Sequence, residues 1–516
     1  MPELFWNIGA QDKKKGLDVL GLRGVDQELE RRWVAGITTI SFRARYLSML
    51  AWLCAEVFER SLAKDGSDAV FDNDEFERVL RRFEAVVFFS THVGRTAGDR
   101  AATFGVLNSD LLQTEANHLD TGDGPIDVPS TKGGGVVGTY FMPARSLGLI
   151  DWPGPGSRLP LSIPPRGNAI WAARREVVNH SRLTHVIFEG GEVSKRDLET
   201  DGQHFSVNRI DSIPRELALL RSAFLEPHDD ADLGAFERLQ RTIEWSLAGL
   251  EDASGSTSDA LIREAFASVV RQPQAARSEV QFAWCEYELY RRTHFACELL
   301  LSALVKSIHE ASAATLPDVI AAWLGQSALP SLIGERFGWQ GWPKGPIGEI
   351  DTDVETYLDE ALPARNLARW PAEAAAAFAV CLLLLVVNQG RLLLREGRLA
   401  VQNSPFAHLV QLVETHRGAT AAEFLEKLLG MWLVPQHIHN ALRKMASGGP
   451  CTLRFFTEGD RVCTTGIAVV AGYSGDRLSN VIRMLSDIGY AERVSGSVFR
   501  LNQAGQALLG ERRVTV

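Results

Sequence analysis

Hydrophobic positions recur at helical spacing along most of the chain, and they predict a mainly helical protein. Three predicted helices near the start share apolar side chains three and four positions apart: 42–60, 74–90 and 99–119. Asp74 is the predicted N-cap of the second. Further helices are predicted from about Ser278 to Glu310 and across 371–430. The pattern favours a multi-helical body over a sheet-based fold.

Two segments interrupt this pattern with glycine and proline. The first, 121–165, is predicted to be a long irregular region, and it contains Gly133, Gly134 and Gly135. The second spans 334–348. Long loops in compact domains often carry function. The glycine run lacks a following Lys-Ser or Lys-Thr pair, so it indicates a turn rather than a phosphate-binding loop.

The last sixty residues follow a different pattern. A helix is predicted over 477–488, because Leu478, Val481, Ile482 and Leu485 share one face, and Gly489 is predicted to end it in a left-handed conformation. Two short alternating runs, 490–494 and 498–501, are joined by Ser-Gly-Ser, which is typical of a hairpin. Another helix is predicted from Gln503.

This order of elements resembles the winged-helix module of many bacterial DNA-binding proteins. The predicted fold is therefore mainly α, with a multi-helical body, long Gly/Pro-rich loops and a C-terminal winged helix-turn-helix domain. The length of 516 residues accommodates several domains. The predicted division is an N-terminal helical domain, an irregular region, a helical body and the winged-helix domain: 1–120, 121–165, 166–440 and 441–516.

Charge distribution agrees with DNA docking at the C-terminal end. The whole chain carries a net charge of −10, whereas 441–516 contains ten Lys and Arg against six Asp and Glu, a net charge of +4.

The six cysteines form no CxxC pair, and the N-terminal residues lack a secretory signal, so a cytoplasmic protein is expected. The longest uncharged apolar run, 374–387, is too short to span a bilayer and predicts a buried helix, with no membrane partner.

The winged-helix resemblance implies specific DNA contacts. The helix 477–488 would enter the major groove of double-stranded DNA, and its solvent face is expected to present four side chains: Arg477, Ser479, Asn480 and Arg483. Arg493 and Arg500 flank the wing and would contact backbone phosphates. Winged modules also bind proteins, so a protein-facing role remains open.

A second polar cluster lies near the N-terminus. Arg43 and Arg45 stand two apart at the start of an apolar helix, and burial of both requires anionic partners. Two alternatives remain open here. The arginines hold phosphates, with Thr39 and Tyr46 as further substrate contacts, or they form internal ion pairs with nearby carboxylates: Asp26, Glu28 or Glu56.

The residues Thr39, Arg43, Ala44, Arg45 and Tyr46 form a T-x-x-x-R-A-R-Y block ahead of an apolar helix. This block resembles the N-terminal signature of an uncharacterised bacterial family encoded in phage-defence loci. The resemblance covers about thirty residues strongly. It implies antiviral defence without fixing an activity.

A third segment supplies a candidate catalytic residue. Leu329-Pro330-Ser331-Leu332-Ile333-Gly334, followed by Ile350-Asp351-Thr352-Asp353-Val354, is similar to the hairpin and catalytic aspartate of helix-hairpin-helix DNA glycosylases. The resemblance implies that Asp351 stabilises the oxocarbenium-like sugar as the base departs. The chain departs from that pattern by one extra hairpin residue and by Asp353 in place of a histidine.

Together these resemblances imply an antiviral protein that acts on modified phage DNA, most concretely as a DNA glycosylase, which needs a base-flipping pocket and a carboxylate. The alternative is a non-enzymatic DNA-binding sensor or adaptor that works with a partner effector. No cofactor and no metal site are expected, because His437, His439, Cys451 and Cys463 match no zinc-ligand spacing.

Overall fold

The structure, a computed structural model, describes most of the chain as helices connected by short turns. The described residues are 18–65, 72–95, 100–122, 124–153, 160–229, 232–272, 277–325, 370–395, 405–449 and 451–515. Within these ranges the strands are short and form two two-stranded sheets and one three-stranded sheet, all antiparallel. The expectation of a mainly helical protein is confirmed.

Contacts between residues divide the chain into two compact units, and each unit combines segments that are distant in sequence. Unit 1 comprises Met1–Leu29 and Ile262–Gly475, and unit 2 comprises Glu30–Leu261 and Asp476–Val516. The four segments anticipated from sequence stay a prediction about domains, because grouping by contacts does not show which pieces fold alone.

The structure describes ten helices in the first segment of unit 2, which ends at Leu261. They are α1 (Arg23–Trp33), which begins in unit 1, α2 (Arg45–Asp65), α3 (Asn73–Val93), α4 (Gln113–Thr121), α5 (Val136–Ser146), α6 (Pro165–Val178), α7 (Arg182–Glu189), α8 (Lys195–Asp201), α9 (Pro214–Leu225) and α10 (Leu233–Ala248). A short strand β1 (Ile126–Asp127) pairs antiparallel with β2 (Glu192–Val193). Helix α2 is the centre of this part and packs against α5 and α6.

Unit 1 is built around one long helix. Its elements are α11 (Ser258–Arg271), which begins in unit 2, α12 (Glu279–Ala311), β3 (Ala313–Thr315), α13 (Leu316–Gly325), α14 (Ala372–Arg395), α15 (Pro405–Thr415), α16 (Ala421–Lys427), a π-helical turn (Leu428–Leu433), α17 (Val434–Ala446), β4 (Phe455–Glu458) and β5 (Arg461–Thr464). Ser278 caps α12 in a capping box with Gln281. Helices α12 and α14 pack together and carry much of the apolar core.

The remaining elements of unit 2 come from the C-terminal segment. They are α18 (Leu478–Asp487), β6 (Ala491–Ser495), β7 (Val498–Leu501) and α19 (Gln503–Thr515). Strands β6 and β7 pair antiparallel, and α10 packs against both α18 and α19. This helix, hairpin and closing helix occur where the sequence predicted them.

The apolar run expected to be buried lies in α14. Residues 375–387 are all buried. Ala372–Gly390 is long and apolar enough to cross a membrane by length and composition, with a mean hydropathy of 1.9, but 78% of its most apolar window is buried inside the protein. Such burial is typical of a core helix.

Three sequence predictions on secondary structure were wrong. Asp72 caps α3 in place of Asp74, since its carboxylate accepts the N–H groups of Asp74 and Glu75. Of the predicted helix 99–119, residue 99 lies outside the described residues, and 100–119 is a 3₁₀ turn, Arg100–Thr103, followed by turns and only then by α4. The segment 121–165 is not irregular throughout, because it contains α5.

Candidate anion-binding pocket

Helix α18 is held in unit 2 by its apolar face. Leu478, Val481, Ile482 and Leu485 are all buried, as their helical spacing predicted. At the other end of the helix, Gly489 has a φ of 83°, and its N–H donates to the carbonyl of Ser486. The N–H of the next residue, Tyr490, donates to the carbonyl of Leu485 at 2.8 Å. These two bonds form a Schellman motif, which turns the chain directly into β6.

The solvent face predicted for this helix is wrong for two of its four residues. Arg477 and Asn480 are buried, at 7% and 1% exposure. Arg477 pairs with Glu30 at 3.3 Å and donates to the carbonyl of Ile37. Asn480 donates to the carbonyl of Thr38 at 2.8 Å. The physical reason is that α18 packs on two sides, so part of its polar face satisfies backbone carbonyls inside unit 2.

The other predicted DNA contacts remain accessible to different degrees. Ser479 is half-buried, and its hydroxyl donates to the carbonyl of Asp476. Arg483 is half-buried, whereas Arg493 and Arg500 are exposed on the hairpin. Arg500 pairs with Glu492 of the neighbouring strand, so its charge is largely compensated locally.

Arg45 and Tyr46 of the N-terminal block are parts of the core. The Arg45 side chain is inaccessible to solvent, pairs with Glu216 at 3.1 Å and donates to three backbone carbonyls: Gln203, Ser206 and Arg209. The hydroxyl of Tyr46, also fully buried, accepts the N–H of Leu107. Arg45 therefore forms an internal ion pair, although Glu216 is not among the carboxylates that the sequence suggested. Thr39 is exposed.

Arg43 borders a cavity. Its Nε and Nη2 donate to the two carboxylate oxygens of Asp487, each at 3.0 Å, and Nη2 also donates to Asn208 at 2.6 Å. Burial lowers the pKa of Arg43, but the bidentate contact with Asp487 outweighs that effect and leaves the pKa raised. Here too the partner is internal and distant in sequence.

The cavity beside Arg43 has a volume of about 280 Å³ and lies entirely within unit 2. We call it the arginine pocket. Residues from four parts of the chain line it: Arg43, Gly94, Arg95, Ala102, Phe104, Asn208, Arg483, Ser486, Asp487, Arg493 and Phe499. Arginine is the commonest lining type, and Asp487 is the one lining carboxylate among the residues that the structure describes.

Two of the lining arginines have their charges compensated. Arg43 is paired with Asp487, and Arg95 is paired with Asp120 at 2.8 Å. For Arg483 and Arg493, the described part of the chain provides no ion pair. Among the described residues, the pocket therefore carries two guanidinium groups that form no ion pair.

Arg483 lies in an environment that disfavours its positive charge. Burial lowers its pKa, and the neighbouring charges of Arg43 and Arg493 lower it further, while Asp487 acts in the opposite direction. Its guanidinium lies 4.5 Å from the ring centroid of Phe104, and its buried Nε has no hydrogen-bond partner among the described residues. An anion in the pocket would supply both the missing counter-charge and an acceptor.

The pocket is suited to binding rather than to acid–base catalysis. Its carboxylate, Asp487, already accepts from Arg43 and from the N–H of Ala44 at 3.0 Å, so it is not positioned to take a proton from a substrate. Arginine guanidinium groups remain charged and match phosphate geometry. The arrangement can hold a phosphate or another oxyanion.

The glycine run of the first Gly/Pro-rich segment also binds an anion, but an internal one. The carboxylate of Glu84, on α3, accepts the N–H of Gly134 at 2.7 Å and that of Val136 at 2.6 Å. Gly133 and Gly134 have φ values of 95° and 100°, which glycine adopts without strain. Because Glu84 occupies this N-terminus of α5, the loop is not available to a phosphate.

The described lining of the arginine pocket includes none of the remaining candidate residues. Asp351 lies outside the described residues, so its role stays a prediction from sequence. Both ring nitrogens of His437 are engaged, with the carbonyl of Val19 at 2.9 Å and the N–H of Arg454 at 3.0 Å. His437 is therefore a satisfied core histidine. His439 and Cys451 are exposed.

No protein-family model matches the chain, and comparison with curated proteins and with solved structures gives no significant match.

Sequence reasoning missed four important residues of the pocket: Arg95, Phe104, Asn208 and Asp487. No local motif marks them, because each lies on a different element and faces the cavity only through tertiary packing. Asp487 could have been suspected from its place on the helix predicted to enter the major groove. A carboxylate there repels DNA unless an internal cation neutralises its charge.

Proposed function

We propose that the protein binds double-stranded DNA and that the arginine pocket holds a phosphate of the DNA backbone. The observation that carries this proposal is that Arg483 and Arg493, beside Arg43 in one cavity, form no ion pair with any residue the structure describes. Arg483 and Arg493 come from the helix and hairpin that resemble a winged-helix module. That resemblance favours DNA as the source of the phosphate.

The pocket favours the DNA-binding sensor or adaptor over an enzyme. Phosphate contacts fix the position of a protein on DNA and carry no sequence information directly. The net charge of −10 limits non-specific attraction elsewhere on the chain. Glycosylase activity depends on Asp351 and stays a hypothesis from sequence, as does the antiviral role that the N-terminal block implies.

The test measures binding of full-length protein to a fluorescent DNA duplex as a function of salt. We expect Arg483→Gln and Arg493→Gln each to weaken binding about tenfold, as loss of a charge-assisted contact does. Each should also make the slope of log affinity against log salt shallower by about one unit. Arg215→Gln is the matched control, because Arg215 is an exposed arginine of unit 2 that pairs with Glu176.

Three outcomes would contradict the proposal. The first is wild-type protein that binds no duplex. The second is a slope of log affinity against log salt that is unchanged in both pocket variants. The third is a loss of DNA affinity in Arg215→Gln that equals the loss in the pocket variants. Competition by inorganic phosphate or a mononucleotide at concentrations far below those of the salt series would show that the pocket selects a small anion instead. Arg477→Gln is not informative here, because Arg477 is buried against Glu30.

A further inference from the structure

Unit 1 contains a largely buried cluster of one imidazole and three carboxylates that the proposed DNA contact does not use. His294 and Glu298 lie one turn apart on α12, and Nε2 of His294 is 3.0 Å from Oε1 of Glu298. The same nitrogen is 3.9 Å from Oδ1 of Asp18, and Nδ1 is 3.8 Å from Oδ2 of Asp26. Asp18 precedes α1 and Asp26 lies in its first turn.

The imidazole is deeply buried and lacks a well-oriented partner. The side chain of His294 is 2% exposed, and within the described part of the chain neither ring nitrogen makes a hydrogen bond of acceptable geometry. Oδ2 of Asp26, which is 1% exposed, has none either. Buried polar atoms without partners are costly, so a group that engages them would stabilise the cluster.

Both carboxylates near Nε2 are already positioned by backbone amides. Asp18 accepts the N–H groups of Gly21 at 2.7 Å and Arg23 at 3.1 Å. Glu298 accepts the N–H of Gly472 through Oε2 at 3.1 Å, and its other oxygen, Oε1, is the one that lies 3.0 Å from Nε2 of His294. The ligand atoms of Asp18, His294 and Glu298 all lie within 4.8 Å of one another.

The charge of the cluster also favours a cation. Three carboxylates surround one imidazole, and Lys444 is a described cation beside them, since its amino group donates to the backbone carbonyl of Asp18. A divalent ion would place further positive charge directly between the three carboxylates and the imidazole.

We infer that Asp18, His294 and Glu298 bind a divalent first-row transition-metal ion, with Asp26 as a positioning residue. Imidazole and carboxylate ligands together suit ions such as Zn²⁺, Mn²⁺ or Co²⁺. Asp26 would accept a hydrogen bond from Nδ1–H and thereby present Nε2 to the metal, as carboxylates commonly do for metal-bound histidines. The ion would join the segment before α1 to the long helix α12.

The experiment titrates full-length protein, first stripped with a chelator, with Co²⁺. Visible absorption reports the ligand field, and elemental analysis reports stoichiometry. Wild-type protein should take up one Co²⁺ per chain, with a raised melting temperature, and Zn²⁺ should displace it. His294→Gln and Glu298→Gln should lose this uptake, whereas Asp26→Asn should weaken it about 10- to 100-fold. His439→Gln, which alters an exposed histidine of unit 1, is the matched control.

Wild-type protein that binds no Co²⁺ or Zn²⁺ stoichiometrically would overturn the inference and leave His294 as a buried imidazolium. Uptake that survives in His294→Gln, or that is lost equally in His439→Gln, would also overturn it. Circular dichroism identifies variants that fail to fold. If His294→Gln is among them, the Co²⁺ affinity of Asp26→Asn tests the inference instead. This substitution changes one oxygen to nitrogen and leaves the metal ligands in place, and an unchanged affinity would contradict the role of Asp26.

Discussion

At the scale of single residues, Glu216 lies between two buried arginines. Its Oε2 accepts from Arg45 at 3.1 Å and from Arg174 at 2.7 Å, and none of the three side chains is exposed. Ser48 donates to the other oxygen at 2.6 Å. Burial alone would raise the pKa of Glu216, but the charges of Arg174 and Arg45 outweigh burial and lower it. One carboxylate thus compensates two cations.

We expect Glu216→Ala to destabilise the protein by about 3–5 kcal/mol, because it leaves buried guanidinium groups without a counter-ion. Urea denaturation measures the change. Glu176→Ala is the control, since Glu176 forms an exposed pair with Arg215 and should contribute less than about 1 kcal/mol. Equal effects of the two substitutions would mean that the buried network does not stabilise unit 2.

The carboxylate partners of Arg43 and Arg45 show which part of a buried ion pair the sequence does not predict. Physical reasoning required anionic partners for Arg43 and Arg45, and the nearest carboxylates along the chain were natural candidates. The partners observed are Asp487 and Glu216, which lie 444 and 171 residues away. The need for a partner follows from the side chain and its burial, but the identity of the partner is set by tertiary packing.

At the scale of elements, prediction succeeded where the determinants are local. The amphipathic spacing and Gly489 located α18 to within about a residue at each end, and the hairpin was placed similarly. Helix α5 was missed, because three preceding glycines indicate a loop. Its N-terminus is stabilised by Glu84 from α3, and no local pattern reveals such a remote cap.

Gly489 offers a test of the turn between α18 and β6. We expect Gly489→Ala to destabilise the protein by about 1–2 kcal/mol, since its φ of 83° is strained for alanine and the new Cβ would lie 2.8 Å from a nitrogen of Arg221. Gly510→Ala, in the exposed part of α19 with open space around it, should instead be neutral or stabilise by up to about 1 kcal/mol. Urea denaturation compares the free energies of unfolding of the two variants. An increase in this free energy for Gly489→Ala would contradict the assigned turn.

At the scale of the whole molecule, each unit is assembled from segments that are far apart in sequence. The contact between Glu30 and the backbone N–H of Arg477 closes a separation of 447 residues. The sequence suggested 441–516 as one C-terminal domain, because its charge and its helix–hairpin pattern are continuous. By contacts, 476–516 groups with 30–261, and 441–475 groups with unit 1. Composition along the chain does not reveal such pairings.

Hydrogen exchange tests whether α18 belongs with the N-terminal helices of unit 2. In full-length Glu216→Ala, we expect amides of α2 and α18 to lose protection together, because local unfolding proceeds in cooperative units. Amides of α17, which is closer to α18 in sequence but lies in unit 1, should retain more of their protection. Leu304→Ala removes a fully buried side chain from the core of unit 1 and should give the reverse pattern. If α18 instead follows α17 in both variants, the C-terminal segment is stabilised with its sequence neighbours, and the grouping by contacts does not describe the cooperative units of the protein.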